Sequence, residues 1–154
     1  MKHAVIISLL LWGVLGNVMR GYGQEKYTTF NHVALSVHDL EKSARFYQEV
    51  LLLDTIPEPF KIGKHKWFEI GPGLSLHLVR DAEEVKEHSR STHMCFSVRS
   101  VDDFIIRLKN LGIDYYNVRN ERGKVNVRVD GVKQLYIKDP DGYWIEVNDE
   151  QGPR

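Results

Sequence analysis

The chain has 154 residues, 42% of them hydrophobic, and balances 21 basic against 21 acidic side chains. That is enough apolar material for one globular domain with its own core. Zero net charge excludes the electrostatic drive of a nucleic-acid or anionic-membrane binder.

The first 23 residues read as an address rather than as fold. Met1-Lys-His is a short positive start, Val5–Leu15 is an apolar run, and Gly21-Tyr-Gly23 presents small residues where a signal peptidase reads. The run is well short of the ~20 residues that span a bilayer, so a cleaved secretory signal is expected. No cysteine lies near the cut to carry a lipid. The mature chain is then residues 24–154, exported to the periplasm or beyond, with no membrane contact after cleavage. Cys95 is the single cysteine. No internal disulfide is available, and Cys95 reads as a small, half-buried strand residue.

Phe30–Val37 alternates strictly: Val33, Leu35 and Val37 point one way, His32, Ala34 and Ser36 the other. Asp39 or His38 then opens a segment with Leu40, Ala44, Tyr47, Val50 and Leu51 at helical spacing. Short apolar strands follow, one ending in Ser75-Leu-His77-Leu-Val79, with Gly71-Pro-Gly73 as a turn. Residues 81–91 are polar and charged and read as a connector.

The pattern then repeats. His32-Val-Ala-Leu-Ser-Val37 returns 61 positions later as His93-Met-Cys-Phe-Ser-Val98. Ser100-Val-Asp-Asp103 is a capping signature for a second helix, and Gly112 is its stop. Asp130-Gly131 and Asp139-Pro-Asp-Gly142 mark turns before a last strand, Tyr143–Val147. Each unit is β-α-β-β-β: module one spans about 30–81 and module two about 92–149. The class is α+β.

The alternation places His32, His77, His93 and Glu146 on strand faces shared with small or polar neighbours, Ala34, Ser36, Ser75, Cys95, Ser97 and Asn148. Duplicated units fold about a pseudo-twofold axis, so equivalent residues can converge there. The four are then the candidate ligands of one divalent ion. Imidazoles suit Zn, Ni, Fe, Co or Cu, and the carboxylate admits Mn. Four protein ligands in an octahedral sphere leave two adjacent positions for a substrate with neighbouring oxygens. His38, His65 and His88 lie in polar surroundings and His3 in the leader; they are not assigned to the site. Arg119, Arg122, Lys124 and Arg128 read as a solvated hairpin.

The segments Asn31–Tyr47, Thr92–Val98 and Tyr136–Glu146, above all the Asp-Pro-Asp-Gly turn leading into a strand Glu, resemble the vicinal oxygen chelate superfamily. That is the fold of glyoxalase I, fosfomycin-resistance proteins and extradiol dioxygenases. The resemblance implies paired βαβββ modules forming a U-shaped mixed sheet around a cavity with a divalent metal, held by His32, His77, His93 and Glu146. It also implies a homodimer, with modules paired within one chain or exchanged between two. Glyoxalase I commonly has Glu at the position of His77, and methylmalonyl-CoA epimerase has Gln. Leu52 stands where the family usually has a helix-stopping Gly.

Three functions compete. The first is a redox-neutral isomerase or lyase on a small molecule with vicinal oxygens, in which the metal stabilises developing negative charge and Glu146 shuttles the proton. The second is an Fe(II) extradiol-type dioxygenase built on His32, His93 and Glu146, which needs three open positions. The third is a metal-free binding or resistance protein with an aromatic groove, for which Trp67, Phe68, Tyr136 and Trp144 are the candidates. Export separates the protein from glutathione and coenzyme A thioesters, which are chiefly cytoplasmic.

Overall fold

The computed structural model describes residues 28–151. The leader and the cleavage site lie outside the described residues. Module one comprises β1 (His32–Val37), α1 (Leu40–Glu49), β2 (Thr55–Ile56), β3 (His65–Gly71) and β4 (Leu74–Arg80). Module two comprises β5 (His93–Ser97), α2 (Val101–Leu111), β6 (Asn126–Val127), β7 (Lys133–Lys138) and β8 (Trp144–Asn148). The expected βαβββ order is present twice.

The helices start where the sequence offers caps. Asp39, not His38, is the N-cap of α1, its side chain accepting from the Lys42 amide at 3.0 Å. Ser100 does the same for α2 from Asp103 N at 3.1 Å. Gly112 stops α2 in the left-handed conformation at φ 68°, satisfying carbonyls of the last turn. After α1 the left-handed residue is Leu52, φ 58°, two positions beyond the C-cap Val50. The chain therefore turns as a glycine would permit, with a leucine in its place.

Each module forms a four-stranded mixed sheet, β1-β4-β3-β2 and β5-β8-β7-β6, and among the described residues no ladder joins the two. In each, the first strand runs parallel to the last, and the remaining pairs are antiparallel. The first strands, β1 and β5, lie at the sheet edges. The aliphatic faces of both sheets and the inner faces of both helices merge into one core: Leu35, Val37, Tyr47, Phe68, Leu76 and Leu78 from module one, Val101, Leu108, Leu135, Ile137, Ile145 and Val147 from module two.

The Asp139-Pro-Asp-Gly142 turn clasps the two modules together. Asp139 accepts from the Tyr47 hydroxyl of α1 at 2.8 Å, and from the amides of Asp141 and Tyr143 at 3.0 and 2.8 Å. Asp141 accepts from the His38 amide at 2.7 Å and from the Ser43 hydroxyl. A carboxylate that ties down backbone amides and a helix from the other half makes the turn rigid as well as sharp. Arg107 of α2 adds a second joint by donating to the carbonyls of Glu49 and Val50. The connector lies over the turn, with His88 stacked on Tyr143 at 3.8 Å.

Packing through the aliphatic faces leaves the other faces of the edge strands outward. His32, Ala34 and Ser36 of β1 are exposed, and so are His93, Cys95 and Ser97 of β5. Cys95 is thus more open than the half-buried strand position expected for it.

Candidate metal centre

The four sequence-predicted ligands fall into two pairs, one on each sheet. Among the described residues, no three His, Cys, Asp or Glu side chains converge as a metal group. The sequence left open whether the four ligands close within one chain or between two, and among the described residues of the single chain they do not form one sphere. The physical reason is the packing: the aliphatic face of each sheet is buried in the core with its helix, which leaves the histidine-bearing faces of β1 and β5 exposed.

In module two, His93 and Glu146 face each other, Nε2 to Oε2 at 3.3 Å. The His93 Nδ1 lies 2.7 Å from the Arg90 carbonyl, a geometry that assigns it a proton and turns Nε2 toward Glu146. Glu146 is buried, 8% exposed, and each oxygen has partners. The Tyr136 hydroxyl donates to Oε2 at 2.7 Å, and Asn148 Nδ2 donates to Oε1 at 3.2 Å. The Cys95 thiol donates to Oε1 at 3.5 Å. Burial alone would raise the pKa of Glu146. The hydrogen bonds from Tyr136, Asn148 and Cys95, with the charge of His93, outweigh it and hold the carboxyl below its ordinary value. The cost falls on the neighbours: burial and then Glu146 push the Cys95 thiol up to about 12, and burial with the Glu146 bond raises Tyr136 well above its ordinary value.

In module one, His32 and His77 are stacked, ring centroids 4.4 Å apart, and Trp67 stacks on the far side of His77 at 3.8 Å. The His32 Nδ1 is 2.7 Å from the Asn31 side-chain oxygen, which leaves Nε2 as the free donor. His77 differs, because its Nε2 lies 2.8 Å from the Ser75 hydroxyl. Burial, followed by the charges of His32 and His65, lowers the His77 pKa, favouring the neutral ring that a metal requires.

The strand registers make the pairs equivalent. Ala34, His77 and Trp67 form one cross-strand row, and Cys95, Glu146 and Tyr136 form its counterpart. Each half thus offers a first-strand histidine, a last-strand ligand and a third-strand aromatic beside that ligand. This chemistry fits a divalent ion: imidazoles with one nitrogen tethered, and one carboxylate kept ionised. Trp67 and Tyr136 as partners of His77 and Glu146 were not assigned from sequence, although their places opposite those ligands follow from the strand register once pairing is known.

A family model described as the Glyoxalase/Bleomycin resistance protein/Dioxygenase superfamily matches residues 29–147. The chain belongs to this superfamily. A metallothiol transferase FosB from Shouchella clausii is 33% identical over 122 residues, covering 77% of this chain and 77% of that protein. A lactoylglutathione lyase from Pseudomonas putida is 31% identical over 151 residues, covering 77% and 83%. Among solved structures, oxidase ChaP-H2 superposes with a TM-score of 0.67 at 25% identity, covering 82% of this chain and 96% of that one. The relatives thus include proteins named as a lyase, a transferase and an oxidase, and they select no single reaction.

The remaining sequence candidates have structural surroundings. His38 Nδ1 is 3.2 Å from the Ala82 carbonyl, His65 packs on Phe60, and His88 lies on Tyr143. Arg122 pairs with Asp114, and Arg128 with Asp130 and Glu150, as a solvated hairpin would. Of the aromatics considered for an apolar groove, Phe68 is fully buried, and Tyr136 and Trp144 are 6% and 8% exposed. Arg90 lies over both of the latter rings and Lys138 over Trp144. Trp67 remains half-buried, so these four do not line an open groove.

Proposed function

We propose that the chain is one subunit of an exported, divalent-metal-dependent homodimer, a redox-neutral isomerase or lyase acting on a small molecule with vicinal oxygens. His32 and His77 of one copy and His93 and Glu146 of the other hold the ion, which is Zn, Ni, Fe, Co or Mn. The observation that carries this reading is the His93–Glu146 pair. Its donor atoms lie 3.3 Å apart, with His93 tethered through Nδ1 on the exposed face of β5 and Glu146 buried beside it on β8. The tethered His32 on the equivalent face of β1 supports the second half. A facing copy supplies each half with the one its own chain turns away.

When bound, the ion supplies Lewis acidity at the two substrate oxygens, worth several kcal/mol of charge stabilisation. The residues do the rest. The Asn31 and Arg90 contacts fix the two first-strand imidazoles, and Glu146, the one carboxylate of the set, takes the proton removed from substrate. A small anionic or neutral substrate fits this site; nothing in the charge balance recruits nucleic acid. The apolar leader supports export, and the described helices include none long and apolar enough to cross a membrane. Sequencing of the secreted N-terminus is expected to begin at Gln24.

Elemental analysis of the native protein comes first, and a metal-free protein that takes up none of these ions overturns the enzymatic reading. Chain exchange then tests the shared site. His32→Ala and Glu146→Ala proteins each lack an intact sphere. After equal mixing and full exchange, half the dimers are mixed and each has one intact sphere, restoring about a quarter of parental metal sites and activity. Spheres closed within one chain would restore none.

A second reading has one observation in its favour: His77 Nε2 is engaged by Ser75 and its ring is held between Trp67 and His32. If His77 stays there, His32, His93 and Glu146 form a two-histidine, one-carboxylate triad suited to Fe(II) and oxygen. His77→Ala separates the two: loss of metal supports four ligands, while retained Fe(II) with oxygen consumption supports three.

A further inference from the structure

We infer that Tyr136 is the positioning residue of the metal centre, holding the Glu146 carboxylate in the orientation that receives the ion. This deepens the proposed function and rests on it. Tyr136 sits directly opposite Glu146 in the β7–β8 register, on the same sheet face, so its hydroxyl needs no excursion to donate to Oε2 at 2.7 Å. Oε2 is also the oxygen that faces His93 Nε2. The contact therefore fixes the ligating side of the carboxylate, while Asn148 and Cys95 hold the other oxygen.

Tyr136 is itself held from three directions. Gln134 Nε2 donates to its hydroxyl at 3.1 Å, so the tyrosine proton is directed toward Glu146. The His93 ring meets the Tyr136 ring edge to face at 5.5 Å, and the Arg90 guanidinium lies over it at 5.3 Å. Arg90 is also the residue whose carbonyl tethers His93. One phenol ring thus links both ligands of module two, and its bond to Glu146 is buried, where a charged-acceptor hydrogen bond is strongest. Trp67 occupies the matching place in module one and orients His77 by stacking instead.

The test is Co²⁺ binding by the full-length homodimer, followed by visible absorption and by competition with a chelator. Tyr136→Phe keeps the ring under Arg90 and removes the hydroxyl. It is expected to weaken Co²⁺ binding about tenfold or more and to alter the Co²⁺ spectrum, the scale on which outer-sphere partners of ligands act. The metal-free thermal midpoint is expected to fall as well, because a buried bond to a carboxylate is lost, so affinity is compared at a temperature where both proteins are folded. Glu146→Ala, which lacks an intact sphere, sets the zero-binding baseline for the titration. Should Tyr136→Phe fold poorly, Gln134→Met leaves the tyrosine in place, releases its hydroxyl, and is expected to weaken Co²⁺ binding by a smaller factor. Unchanged affinity in both variants, or weaker binding with an unaltered Co²⁺ spectrum, overturns the assignment. A parent protein that binds no Co²⁺ or other divalent ion overturns the proposed metal function itself, a separate result.

Discussion

Removing the Tyr47 hydroxyl tests whether the Asp139 clasp joins the modules through a buried, ionised carboxylate. Burial raises the Asp139 pKa from 3.8 to about 6, against the lowering effect of bonds from Tyr47 and the Tyr143 amide. A folded-state pKa above the unfolded one contributes stability that is complete below pH 3.8 and lost as pH rises through 6. Over that window Asp139 costs the parent on the order of 3 kcal/mol. The Tyr47 bond favours the ionised form, so its loss raises the folded pKa further and is felt most above pH 6. At pH 8, Tyr47→Phe should cost about 2 kcal/mol, the range for a bond to a buried charge with two amide donors remaining. At pH 4, where the carboxyl is largely protonated, the cost should fall to about 1 kcal/mol, as for a neutral bond. Urea unfolding of parent and variant at both pH values measures this, and the difference between them cancels the other titrating groups. Equal costs at the two pH values, or a cost under about 0.5 kcal/mol at pH 8, would refute the reasoning.

Other substitutions probe the frame around the site. Leu52→Gly should stabilise the chain by about 1 kcal/mol in the same denaturant assay, because Leu52 adopts φ 58° with its side chain 63% exposed. Gly142→Ala should cost more than about 2 kcal/mol: the residue has φ 87°, and an added Cβ would drive into the Lys86 carbonyl of the connector. A near-neutral result would mean that the connector yields there. Asp39→Ala should lower stability by about 1 kcal/mol through loss of the α1 cap, whereas Asp39→Ser should recover most of it. Leu108→Ala, in the shared core, should cost about 3 kcal/mol in the same assay and leave Co²⁺ affinity unchanged in the folded fraction.

Much of this protein is determined by local pattern. Alternation in His32–Val37 and His93–Val98 sets which side chains share a face, and a period of two leaves no other choice once the aliphatic face is buried. Asp39, Ser100 and Gly112 fix helix ends through bonds within a few residues of themselves. The repeat likewise announces the paired modules. Tertiary structure decided the rest. How the two sheets sit depends on the summed packing of Tyr47, Leu108, Ile137 and their neighbours in one core, and among the described residues that packing brings no three of the ligand candidates together. The roles of Asp139, Asp141 and Tyr136 also depend on contacts across 92, 98 and 10 positions. A short-range code carries propensity and periodicity, whereas hydrogen bonds between distant strands exist only after the core has brought those strands together.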